Sequence, residues 1–111
     1  MAEPTLQEVF GANATQDVNS ITIDKNDLIS LGLTADANNT AESLVVAISL
    51  LIQNGLPQSS FDTNLDQSIY VDTGFPNFAF RGDNNAQYRV DQLTVNFAKL
   101  DTSTAINPDD Y

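Results

Sequence analysis

No histidine, cysteine or tryptophan occurs among the 111 residues. The chain therefore lacks the two side chains, His and Cys, that most often carry acid–base, nucleophilic and transition-metal chemistry near neutral pH. Disulfides and thiolate metal sites are excluded, although the absence of cysteine assigns no compartment. Positive charge is equally scarce: four bases (Lys25, Arg81, Arg89, Lys99) stand against 15 acids, a net charge of −11. Such a surface repels phosphate backbones and anionic headgroups. Two arginines cannot form a basic stripe, so neither nucleic acid nor a membrane surface is an expected partner. Long apolar runs are missing too. The longest, Leu44 to Ile52, is interrupted by Ser49 and falls well short of the ~20 residues a membrane span needs. The first residues, Met-Ala-Glu-Pro-Thr, show neither the basic region nor the apolar run of a secretory signal, and a cytoplasmic location is the expectation. No glycine-rich phosphate loop occurs. Gly11, Gly32, Gly55, Gly74 and Gly82 all fall at helix stops or turns.

What is present suffices for one folded unit. The hydrophobic share is 41%, above that of disordered chains, and Leu, Ile, Val and Phe come in patterned runs. Residues 1–100 read as a single domain and 101–111 as a flexible acidic tail. Pro4 to Phe10 suggests a short helix stopped by Gly11, with Leu6, Val9 and Phe10 on one side. Ser20 to Ile23 alternates like a strand. Asp24 reads as the N-cap of a two-turn helix ending at Gly32. The strongest element starts after Asn39 or Thr40, with capping-box spacing from Asn39 to Glu42, and runs to Gln53 or Asn54 with Gly55 as its C′ stop and Pro57 beyond. Ala41, Leu44, Val45, Ile48, Leu51 and Ile52 share an arc of ~120°, a normal core face. Val46 and Leu50 fall on the other side, where a surface helix has no use for them, so the helix is either sandwiched between two layers or packed against another chain. Strand character follows over 67–73, 77–81 and 87–99. Gly74-Phe75-Pro76 reads as a turn, Gly82 to Asn85 as a strong turn cluster, and the change of parity near Asp91–Gln92 as a bulge. The predicted fold class is α+β: one long amphipathic helix and short helices packed on a small, mostly antiparallel sheet of about four strands.

Three strings resemble functional motifs. Asp72-Thr73-Gly74 matches the tripeptide of aspartic proteases, whose chemistry needs two carboxylates sharing a proton. No glycine-rich flap follows it, and Phe75-Pro76 replaces the small residue expected next. Arg81-Gly82-Asp83 matches the tripeptide of integrin-binding loops, but Gly and Asp are also what a turn demands. Asp62, Asn64 and Asp66 place oxygen ligands at positions 1, 3 and 5 of a calcium loop, with Ile69 at position 8. Gln67 there replaces the turn glycine and Thr73 the bidentate glutamate. The three oxygen-bearing residues remain the candidate metal ligands. Acid pairs such as Asp24/Asp27 or Asp109/Asp110 sit at caps and in the tail rather than across a cleft.

No cofactor and no catalysis are implied. The expected function is that of a non-catalytic, self-associating structural or interaction module. Val46, Leu50, Phe78 and Phe80 are its candidate interface, and a homo-oligomer, with a dimer favoured, is its form. Two other readings are carried: an acidic binding or inhibitor protein for a basic partner, and a small subunit of a larger viral or injection-type assembly.

Overall fold

The computed structural model describes residues 2–101 and 105–111 and has an α+β fold. Helix α1 (Leu6–Phe10) is opened by Thr5, whose hydroxyl accepts from the Glu8 amide, so Pro4 lies one residue outside the cap. Next comes a two-residue ladder of β1 (Thr15–Gln16) and β2 (Ile21–Thr22), and the expected strand shrinks to that length. Its connecting loop is held by Asp17, whose carboxylate accepts from the Asn19 and Ser20 amides. Those hydrogen bonds hold its pKa below the ordinary Asp value. Asp24 caps the next element through the Asn26 amide, but Lys25–Leu31 winds as a 3-10 helix rather than an α-helix, ending at Gly32 with φ +103°.

Helix α2 spans Ala41–Gly55, with Thr40 as its cap through the Ser43 amide. Asn39 instead bonds Thr34 O and the Asp36 amide, fixing the preceding loop. Gly55 is the last helical residue and has no positive φ. It is needed because α1 crosses there, and a Cβ at Gly55 would meet Glu8 O and stand 2.8 Å from Val9 Cα. The segment Ala41–Thr63 is long and apolar enough, by length and composition alone, to cross a membrane. Leu56 and Pro57 divide it, however, and α2 by itself is about 22 Å long against a hydrocarbon core of about 30 Å. A short helix α3 (Gln58–Thr63) forms in a polar stretch that carries no helical pattern.

Packing rotates the covered arc of α2 by roughly 60° toward Ala47 relative to the expected core face. Ala47 is buried, Leu44, Ile48 and Leu51 are half-buried, and Val45 is exposed. The cause lies in the neighbours. The 3-10 helix, α1 and β3 (Ile69–Thr73) all pack on α2. The core is small: Val9, Ala14, Leu28, Ala47, Leu56 and Val71 are the buried apolar residues. Among the described residues one polar side chain, Gln67, is buried with them, and its amide is fully bonded to Ser60 Oγ, Pro57 O and Ile69 O.

The remaining strands are β4 (Asn77–Arg81), β5 (Ala86–Val90) and β6 (Leu93–Phe97). All pairings are antiparallel, β3 with β6 and β4 with β5. The four strands lie end to end as one long hairpin rather than side by side. Thr73 pairs with Leu93 and Asn77 with Val90, so Gly74, Phe75 and Pro76 face only Asp91 and Gln92. Gly74-Phe75-Pro76 is thus a bulge through which the chain continues outward, not a reversal. Proline is tolerated there because the ladder is already broken. The reversal comes at Gly82–Asn85, where both end residues have positive φ. The proximal half of the hairpin packs on the body: the Val71 amide donates to Leu56 O at 2.8 Å, and the Tyr70 ring lies 4.7 Å from Phe61. The distal half, residues 74–92, projects as an arm.

Residues 105–111 contact the body through a Lys99–Asp110 ion pair of 3.0 Å and a Tyr111 ring 5.8 Å from Phe97, with a 3-10 turn over Pro108–Asp110. Residues 102–104 of the expected flexible tail lie outside the described residues. With an arm extended, the radius of gyration is 16.7 Å, against about 13 Å for a compact chain of this length.

Candidate functional site

The arm is the least covered part of the molecule. In β4 and β5 only Ala79 is better than exposed. The pairing register sorts its side chains into two faces. Phe78 opposes Arg89 and Phe80 opposes Gln87 on one. Asn77, Ala79 and Arg81 oppose Val90, Tyr88 and Ala86 on the other. The second face is partly screened, because the Arg81 guanidinium lies 5.0 Å from the centre of the Tyr88 ring. The first has no such cover: Phe78 is 59% and Phe80 67% exposed. A lone two-stranded hairpin is marginal in water, and this one keeps its large apolar groups in solvent.

At the root of the arm, the outer side of α2 and the start of the hairpin enclose a groove of about 670 Å3. Its walls include Val45, Val46, Leu50, Pro76, Asp91 and Leu93. Gln53 spans its floor, donating from Nε2 to Thr73 Oγ1 at 3.1 Å, and so ties α2 to the arm. Val45 and Val46 are 63% and 60% exposed on its rim. Leu50 is half-buried, because it also faces Leu31 at the end of the 3-10 helix and Leu33 beyond it.

Groove and phenylalanines share one side of the hairpin. The Arg89 guanidinium pairs with the Asp91 carboxylate at 3.0 Å, so these two side chains stand on the same side of their strand. Asp91 lines the groove together with Leu93. Phe78 sits opposite Arg89 and continues that face outward, with Phe80 beyond it. Val46 and Leu50 thus line the groove, and Phe78 and Phe80 stand further out on the same side of the hairpin. Val45, assigned to the core face by helical periodicity, and Phe75, at the bulge, are exposed as well, at 63% and 90%. The clustering of Phe75, Phe78 and Phe80 within six residues was the sequence signal for Phe75.

The calcium-like spacing meets a different arrangement. Asp62 is on α3 and exposed, and Asn64 is the cap residue after it. The Asn64 side chain is engaged at both ends: Nδ2 donates to Ala2 O at 2.9 Å, and Oδ1 accepts from the Asp66 amide at 3.0 Å. Among the described residues no group of three or more Asp or Glu side chains could hold a metal ion. Asp62 instead lines an open groove of about 990 Å3 between α3 and the end of β6, with Leu65, Lys99 and Leu100. The acid pairs have structural duties. Asp27 accepts from both the Asn13 amide and Asn13 Nδ2, and Asp110 pairs with Lys99. Asp72 and Thr73 are ladder residues of β3, opposite Thr94 and Leu93.

Comparison with protein-family models, with curated proteins and with solved structures found no match to this chain.

Proposed function

We propose that the chain is a self-associating structural or interaction module that works by being covered, without catalysis. The observation that carries this reading is the uncovered apolar face running from the groove along the arm. Scattered exposed hydrophobic residues are ordinary on soluble proteins, but contiguous apolar patches of several hundred Å2 mark interaction sites. Here Val45, Val46, Phe75, Phe78 and Phe80 are each more than half exposed on neighbouring elements. The buried core is correspondingly small, so association would supply burial that the single chain does not. A homodimer is the simplest such assembly, since two-fold symmetric dimers dominate among soluble oligomers.

Light scattering on the wild type and on Val46→Asp tests the reading. A dimeric mass for the wild type, shifting toward monomer in the variant, is the expected result. A monomeric mass for both would remove it.

A further inference from the structure

We infer that the partner is a second copy of this chain and that the two copies exchange arms, the Phe78–Phe80 face of each lying in the groove of the other. The inference rests on the self-association proposed above and adds its geometry. The first argument is shape. An apolar ridge, Phe78 and Phe80, and an apolar groove walled by Val46, Leu50 and Leu93 lie side by side on one face of one chain. A two-fold axis passing between ridge and groove brings each ridge over the other copy's groove, the self-complementary pattern that such symmetry demands. The chain cannot satisfy itself this way. Pro76 is a wall of the groove and Phe78 is only two residues further out on a paired strand, so the ridge leads away from its own groove.

The second argument is charge. Residues 77–90 hold both arginines and one acid, Asp83, a net of +1; of the total −11, the rest of the chain carries −12. Two acidic bodies repel one another at long range, whereas the arm meets no like-charge opposition, least of all at the groove, whose α2 wall belongs to the uncharged stretch Ser43–Phe61. Arg89 stands on the same face as the phenylalanines, and Asp91 stands at the groove, so the same pair of opposite charges recurs at both ends of a two-fold contact. The third argument is area. The exposed parts of Val45, Val46, Phe75, Phe78 and Phe80 amount to roughly 500 Å2 per chain, taking ordinary side-chain areas. That is more than half of the ~800 Å2 per partner of a stable interface, and the polar rim around these residues supplies the remainder.

The absence of cysteine makes the test clean. Phe80→Cys and Val46→Cys are prepared as separate chains, both positions being more than half exposed, then mixed and treated with a short bis-maleimide. Arm exchange predicts a linked species of dimeric mass in the mixture, at least tenfold above that from either chain alone. Equal linkage in Phe80→Cys alone would mean that arms meet arms; no linkage in the mixture while the wild type is dimeric would mean that the contact lies elsewhere. Either result overturns the exchange and leaves self-association standing. A monomeric wild type overturns both. Phe78→Asp with Phe80→Asp supplies a second reading, expected to weaken the dimer at least tenfold; an unchanged dimer would overturn the exchange.

Discussion

Gly55 shows how a residue's type can be dictated by a neighbour rather than by its own backbone. Its position before Pro57 reads as a left-handed helix stop, yet its φ is not positive and its role is to let α1 cross α2. The atoms that a Cβ would strike are backbone, Glu8 O and Val9 Cα, and cannot rotate aside. Gly55→Ala should therefore cost about 1–3 kcal/mol, the usual cost of overpacking, read as a lower urea midpoint. It should also strip hydrogen-exchange protection from Leu6–Phe10. Full protection of α1 in that variant would contradict the account. Gly11 is held similarly, its Cβ position lying 2.7 Å from Asp27 Cβ, and it also needs φ +106°. The Asp27 carboxylate meanwhile holds the backbone of the loop that follows Gly11 through Asn13.

At the scale of elements, the molecule divides into parts that stabilise the fold and parts that do not. Val71 is 3% exposed under α2, and Val71→Ala should lower stability by about 2 kcal/mol through lost burial and a residual cavity. Phe80→Asp, out on the arm, should change the monomer's unfolding free energy by no more than about 0.5 kcal/mol, as surface substitutions do. Both measurements belong at a concentration where monomers dominate, because dimerisation would add to apparent stability. A large loss from Phe80→Asp there would mean that the arm packs on its own body. Most elements are legible in the sequence. The Asp24 and Gly32 boundaries, the helix opening near Thr40, the strand over Asn77–Arg81, the Gly82–Asn85 reversal and the break at Asp91–Gln92 follow from local propensity and alternation. Helix α3 was not legible, because Gln58-Ser-Ser-Phe-Asp-Thr lacks an apolar stripe. It exists through Tyr70 against Phe61 and the Ser60 bond to Gln67.

For the whole molecule, the governing quantity is a net charge of −11 spread over a body that sends one nearly neutral arm into solvent. Repulsion between two such bodies acts over a Debye length, about 30 Å at 0.01 M salt and about 8 Å at 0.15 M. Raising salt over that range should tighten the homodimer, because screening removes more body–body repulsion than arm–body attraction. Sedimentation equilibrium at the two ionic strengths reads the sign. The alternative role, docking a basic protein through the acidic surface, predicts the opposite: a complex that weakens as salt rises.

Composition alone removed histidine and thiol chemistry and set the charge. Local patterns placed most helices, strands and turns, because caps, glycine stops and strand alternation depend on residues within one or two turns of each other. Which face of α2 is covered, and whether strands stand side by side or run end to end, depend on contacts between segments far apart in the chain. Val45 is apolar on either side of its helix, and only the positions of α1, β3 and the 3-10 helix turn it outward. Gly74-Phe75-Pro76 is equally consistent with a reversal or a bulge, and the pairing of Thr73 with Leu93 and Asn77 with Val90 selects the bulge. From that choice come the arm, its uncovered phenylalanines and the groove at its root.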